Sequence, residues 1–172
     1  INHRMFVMSK IKTKRMRKNI ALVAFAFLLS GSVYAQNVAS PEKPKAYIVS
    51  NAHLDTQWNW DIQTTIKEYV WNTINQNLML LKQYPNYVFN FEGGAKYAWM
   101  KEYFPIQYEE VKKYIKTGRW HVSGASWDAT DVLVPSIESS LRNIMLGQDY
   151  YRKEFGVEST DIFLPDCFGF GW

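Results

Sequence analysis

The chain has 172 residues, 20 of them basic and 16 acidic, for a formal charge of +4. That surplus is local, because seven of the basic side chains and none of the acidic ones lie in residues 1–35, which leaves 13 basic against 16 acidic residues and a charge of about −3 for the rest. With no basic stripe to follow phosphates, nucleic-acid binding is disfavoured, and the single cysteine, Cys167, excludes an intrachain disulfide.

Residues 1–35 read as a secretory signal. Seven charges from Arg4 to Lys18 precede an unbroken apolar run, Ile20 to Leu29, and Val33-Tyr34-Ala35 has the small-x-small ending of a cleavage site. The run is shorter than the roughly 18 residues that cross a bilayer, so no stable membrane insertion is expected once the signal is removed. A secreted or periplasmic location follows. Residues 36–45, "QNVASPEKPK", contain two prolines and no periodicity and read as a linker, so residues 46–172 carry the domain.

Ala46 to Ala52 is a mostly apolar run suited to a first buried strand. Asp61 is placed to cap a helix in which Ile62, Ile66, Tyr69, Val70, Ile74, Leu78 and Leu81 recur at steps of three and four until Pro85 stops it. Tyr87 to Phe91 predicts a second strand ending at Gly93-Gly94. Helical spacing resumes through Tyr97, Met100 and Tyr103, and again after Pro105 up to Gly118. Arg119 to Ser123 predicts a third strand. Ser136 then caps a helix whose apolar face is Ile137, Leu141, Ile144, Met145 and Phe155, with Gly156 as its stop. Asp161 to Leu164 predicts a fourth strand.

Alternating strands and helices argue for an α/β fold of parallel βα units, part of an incomplete (β/α) barrel. The fourth strand would leave an open sheet edge with nothing to cover it, so the expectation is a chain truncated after that strand.

In such a sheet, functional groups gather where strands end. His53 and Asp55 follow the first strand and Asp166 follows the fourth, so all three are expected on one rim. His53 and Asp55 are two residues apart on extended backbone and point the same way. Imidazole nitrogen and carboxylate oxygen are ligands for zinc or a similar divalent ion. An H-x-D pair alone serves equally well as a cap or turn, and Pro165-Asp166 is ordinary turn chemistry. Trp58 and Trp60 offer flat faces for sugar rings, although packing is the commoner use. His121 reads as a strand histidine and Cys167 as a small packing residue, with no base evident beside the thiol.

With these residues in view, the segment from about Ala46 to Trp172 resembles the N-terminal part of the catalytic domain of glycoside hydrolase family 38, the zinc-dependent α-mannosidases. "HLDTQW" matches H-x-D-x-x-W, "GRWHVSGASWDATDVLVPSIESSLRNIMLGQ" resembles the segment that runs from G-R-W to P-S-x-E-S and a helix, and "LPDCFG" resembles the nucleophile motif. The resemblance implies zinc ligation by His53, Asp55 and Asp166, with Asp166 also the catalytic nucleophile, Trp58 and Phe168 lining the sugar site, and a mannose-containing glycan as substrate. It further implies retaining hydrolysis of terminal α-mannosidic linkages by a longer enzyme, with the general acid and a fourth metal ligand expected after Trp172 and the fragment alone inactive. One departure is Ala129, where many relatives carry glutamate; Asp128 and Asp131 are therefore left out of the ligand set. Two other readings are a non-catalytic carbohydrate-binding fragment and a metal-dependent carbohydrate deacetylase.

Overall fold

In the computed structural model, which describes residues 43–170, three short strands lie side by side, all parallel, in the order β1 (Ser50–Ala52), β2 (Phe89–Glu92), β3 (Trp120–Ser123). The proposed signal and most of the proposed linker fall outside the described residues. From Tyr47 onward the described chain is one unit. Ser50 pairs with Phe89 and Phe89 with Trp120; one step on, Asn51, Asn90 and His121 are paired across the sheet. Alternation along each strand then separates two faces. One carries Phe89, Phe91, Trp120 and Val122, all buried, and the other carries Asn51, Asn90 and His121.

The helices cover the apolar face. Asp61 accepts a hydrogen bond from the Thr64 backbone N–H and starts α1 (Ile62–Thr64), which continues through a π-helical turn, Thr65–Val70, into α2 (Trp71–Gln83). Val70, Ile74, Leu78 and Leu81 face inward at the predicted spacing. The turn 84–88 leads to β2, and α3 (Gly94–Tyr103) and α4 (Pro105–Lys116) follow with the break at Phe104-Pro105. Trp120 packs edge-on against Phe89 at 4.8 Å, and its indole N–H donates to the Tyr97 hydroxyl, which donates in turn to the Phe91 carbonyl. Burial of each such large side chain contributes about 1.5–3 kcal/mol. Arg119 ties the start of β3 to the end of α2 by donating to the carbonyls of Leu81 and Tyr84.

Three expectations change. The first strand is Ser50–Ala52 rather than 46–52, and Tyr47 to Val49 are exposed, because β2 begins opposite Ser50 and offers nothing further upstream to pair with. The segment Asp161–Leu164 is irregular chain and not a fourth strand. Beyond β3, the backbone N–H groups of Gly124 and Ala125 donate to the side chains of Asp161 and Ser159, so side-chain oxygens take the donors that a ladder would use. The third correction concerns α5 (Ile137–Phe155), capped by Ser136 and ended by left-handed Gly156 as expected. Its buried stripe is Gly147 and Tyr151, flanked by Asn143 and Phe155, whereas Ile137, Leu141 and Met145 are exposed.

Gly147 explains that choice of face. A Cβ there would run into the backbone of Ser126 and sit 2.6 Å from the Ala125 carbonyl oxygen, so only glycine lets α5 press onto the 124–128 segment. Asn143 completes the contact, donating to the Asp128 carbonyl and accepting from the Asp128 N–H. Among the described residues no helix is long and apolar enough to cross a membrane.

Gly147→Ala is expected to destabilise the protein by about 3 kcal/mol, at the upper end of overpacking costs, read as a lower midpoint in chemical denaturation with an unchanged slope. A second expectation concerns acid stability. Lys101 and the Tyr108 hydroxyl donate to Glu154, at 2.6 and 2.9 Å, and hold its carboxyl below the usual range. A depressed folded-state value stabilises fully above the unfolded value of about 4.3 and is lost as pH falls through the folded one. Glu154→Gln should therefore flatten the fall in stability across that acid window, measured by urea unfolding at a series of pH values.

Candidate metal centre

Parallel strands in one register end on one side, and the three ends here deliver the chemistry. His53 and Asp55 follow β1, Glu92 is the last residue of β2, and the turn at Pro165-Asp166 comes alongside. His53 Nε2 lies 3.2 Å from an Asp55 carboxylate oxygen and 3.8 Å from one of Asp166. One donor atom from each of the three residues fits within 4.8 Å of the others.

The donor set suits a small divalent cation. Two ligands about 2.1 Å from a tetrahedral ion are themselves roughly 3.4 Å apart, and the observed separations bracket that value. Three protein ligands are also the usual complement of a catalytic zinc site, which keeps an open position for substrate or water. His53, Asp55 and Asp166, far apart in the chain, are thus brought together as the sequence predicts. His121, in the middle of β3, is not in this group and lines a separate cleft with Asn90, Ser159 and Asp161.

A cleft of about 400 Å³ opens beside the three donors, lined by Asp55, Gln57, Trp58, Asp166 and Phe168. Trp58 is 75% and Phe168 79% exposed, so both rings present free faces to the cleft. Trp58 is braced edge-on by Trp60 at 6.0 Å, and Trp60 leans on Tyr69 at 4.8 Å. Cys167 is half-buried with its sulfur toward the Leu164 carbonyl, in keeping with a packing role.

Two supporting residues, Thr65 and Glu92, were not singled out in the sequence. Thr65, at the start of the π-helical turn, is fully buried; its hydroxyl donates to the Thr56 carbonyl at 2.7 Å and accepts the Trp60 indole N–H at 2.8 Å. It fixes both ends of the loop that follows His53 and Asp55, and irregular helical turns of this kind recur at functional sites. Asp128 accepts the Thr56 hydroxyl at 2.6 Å and lies 3.4 Å from the Lys96 ammonium, so it supports the rim and stays out of the ligand set.

Glu92 is the other addition. It is 1% exposed, and neither side-chain oxygen has a hydrogen-bond partner. Burial raises its carboxyl above the usual range, while the neighbouring Lys96 and His53 oppose that shift. A buried polar group left unpaired costs about 1–3 kcal/mol, more when it is charged. Its signal in the sequence was an acidic residue ending an aromatic strand, "FNFEGG".

Residues 43–172 match the family described as "Glycosyl hydrolases family 38 N-terminal domain". Alpha-mannosidase G of Dictyostelium discoideum is 33% identical over 131 residues, 76% of this chain and 12% of that protein. The alpha-mannosidase of Saccharomyces cerevisiae is 31% identical over 146 residues, 84% of this chain and 13% of the yeast protein. Human alpha-mannosidase 2C1 is 26% identical over 124 residues, 72% of this chain and 12% of the human protein. The chain therefore spans about an eighth of the length of these relatives. Among solved structures, the 4-alpha-glucanotransferase of Thermococcus litoralis shares the fold, with a TM-score of 0.51 at 21% identity over 67% of this chain and 18% of the other. The family match over nearly all the described residues, together with the ordered motifs and the relatives, places this chain in glycosyl hydrolase family 38.

Proposed function

We propose that this chain forms the metal-binding and nucleophile-bearing portion of a retaining α-mannosidase, acting on terminal α-mannosidic linkages of glycans in the secreted or periplasmic space. The observation that carries it is the convergence of His53, Asp55 and Asp166 beside a cleft with two exposed aromatic faces. The names of the relatives support the mannoside substrate, and the leader supports the location.

Retention of configuration requires a carboxylate that attacks the anomeric carbon and a second carboxyl, roughly 5–5.5 Å from it, that protonates the leaving oxygen and later activates water. Asp166 is assigned the first role because it stands at the metal site and lines the cleft. Zinc held there would keep a neighbouring carboxylate ionised at neutral pH and bind sugar hydroxyls. His53 and Asp55 hold that ion against the rim. Trp58 stacks on the sugar, and Phe168 closes the other side of the cleft.

The complete protein that carries this chain should hydrolyse an aryl α-mannoside, lose that activity on treatment with a chelator and regain it with zinc. Activity indifferent to chelation would remove the metal from the reading. Asp166→Asn should lower kcat by at least about 10³-fold. A fluorinated mannosyl inhibitor should label Asp166 itself in the parent protein; acetate release from an acetylated sugar without such labelling would establish deacetylation instead. Trp58→Ala should lower kcat/KM about tenfold, as loss of one stacking face, and leave the unfolding midpoint close to the parent's because the ring is exposed.

A further inference from the structure

The rim holds a carboxylate that the proposed reaction does not use. Ala52 is paired with Phe91, so the next rung of the parallel ladder sets His53 beside Glu92, which is itself paired with Ser123. His53 Nδ1 faces this carboxylate, with Oε1 at 3.8 Å, while Nε2 faces Asp55 and Asp166. One ring nitrogen is thus turned to the candidate ligands and the other to a buried acid.

Three further observations bear on the role of that acid. Neither oxygen of Glu92 is hydrogen-bonded in the fold, although the side chain is 1% exposed. The space it occupies is kept open by Gly124, whose left-handed backbone (φ +83°) suits glycine and where an added Cβ would come within 3.1 Å of the Glu92 Cβ and 3.4 Å of Oε2. Its counter-charge, the Lys96 ammonium, is wholly buried and paired at 3.4 Å with Asp128. A buried acid with free oxygens, aimed at the far nitrogen of a metal-ligating imidazole, matches the carboxylate–histidine–metal arrangement that fixes the tautomer and orientation of such ligands.

We propose that Glu92 is a positioning residue for the metal centre: its carboxylate receives the Nδ1–H of His53 and so keeps the Nε2 lone pair on the side of Asp55 and Asp166. The inference rests on the metal site described above. Its effect is on affinity for the ion and on the geometry of the imidazole ligand. Glu92 touches neither substrate nor reacting atoms.

The test uses the complete protein, stripped of metal and titrated with cobalt(II) against a competing chelator, with the visible d–d absorption recorded alongside. Glu92→Gln keeps the shape and loses the charge. It is expected to weaken cobalt binding by about 10–100-fold and to shift the absorption band, while the metal-free unfolding midpoint stays near the parent's. Glu92→Asp, which keeps the charge one methylene further back, is expected to recover part of the loss and supplies the same reading should the Gln variant fail to fold. Cobalt affinity within about threefold of the parent in both variants would overturn the proposal, as would a loss of affinity accompanied by an equal drop in metal-free stability. A parent protein that binds no cobalt would sink the metal site as well, so the two failures are told apart by the parent alone.

Discussion

The arrangement rests on the in-register parallel pairing of β2 with both of its neighbours. Parallel strands that start level also end level, so the three short strands among the described residues send every exit to the same side. Side-chain alternation then divides the labour: Phe89, Phe91, Trp120 and Val122 take the helices, while the rung just beyond Ala52 and Phe91 takes His53 and Glu92. A slip of one residue would exchange these sets, burying polar groups against the helices and turning the phenylalanines outward. The aromatic core therefore fixes the position of the candidate metal-site residues His53 and Asp55 as well as the stability of the sheet.

Around that rim the structure uses side chains where a longer sheet would use backbone. Asp161 and Ser159 take the N–H groups of Gly124 and Ala125, Thr65 takes the Thr56 carbonyl, and Asn143 makes a reciprocal pair with the backbone of Asp128. Each satisfies a group that would otherwise be orphaned on leaving a strand. Gly147 makes the last of these contacts possible, because the α5 backbone must lie almost against the Ser126 carbonyl for Asn143 to reach. The loop segment next to the cleft is thereby held from both the sheet side and the helix side.

The grouping of His53, Asp55 and Asp166 was legible in the sequence because two short motifs, each just past a strand or turn, have residue types that few other arrangements require in combination. The helices were legible too, through Asp61, Pro85, Pro105, Ser136 and Gly156, whose cap and stop chemistry is local. What escaped was set by partners distant in the chain. Ile137, Leu141 and Met145 are more apolar than the stripe through Gly147, yet the helix docks by its small residue, a matter of close approach that hydrophobic spacing does not encode. Asp161 to Leu164 is apolar enough for a strand, but its backbone groups are replaced on the β3 side by its own neighbours' side chains. The β1 boundary depended on where β2 begins. Glu92 was passed over because an acid at a strand end is ordinary until the register puts it beside His53.

Lys96 sits in this frame as an ammonium with no access to solvent, wedged over Gly93 between the end of β2 and the 127–128 turn. A primary amine so enclosed is shielded from acetyl donors and from amine-reactive reagents as long as α3 stays seated. Its modification would therefore require the layer behind the rim to open first.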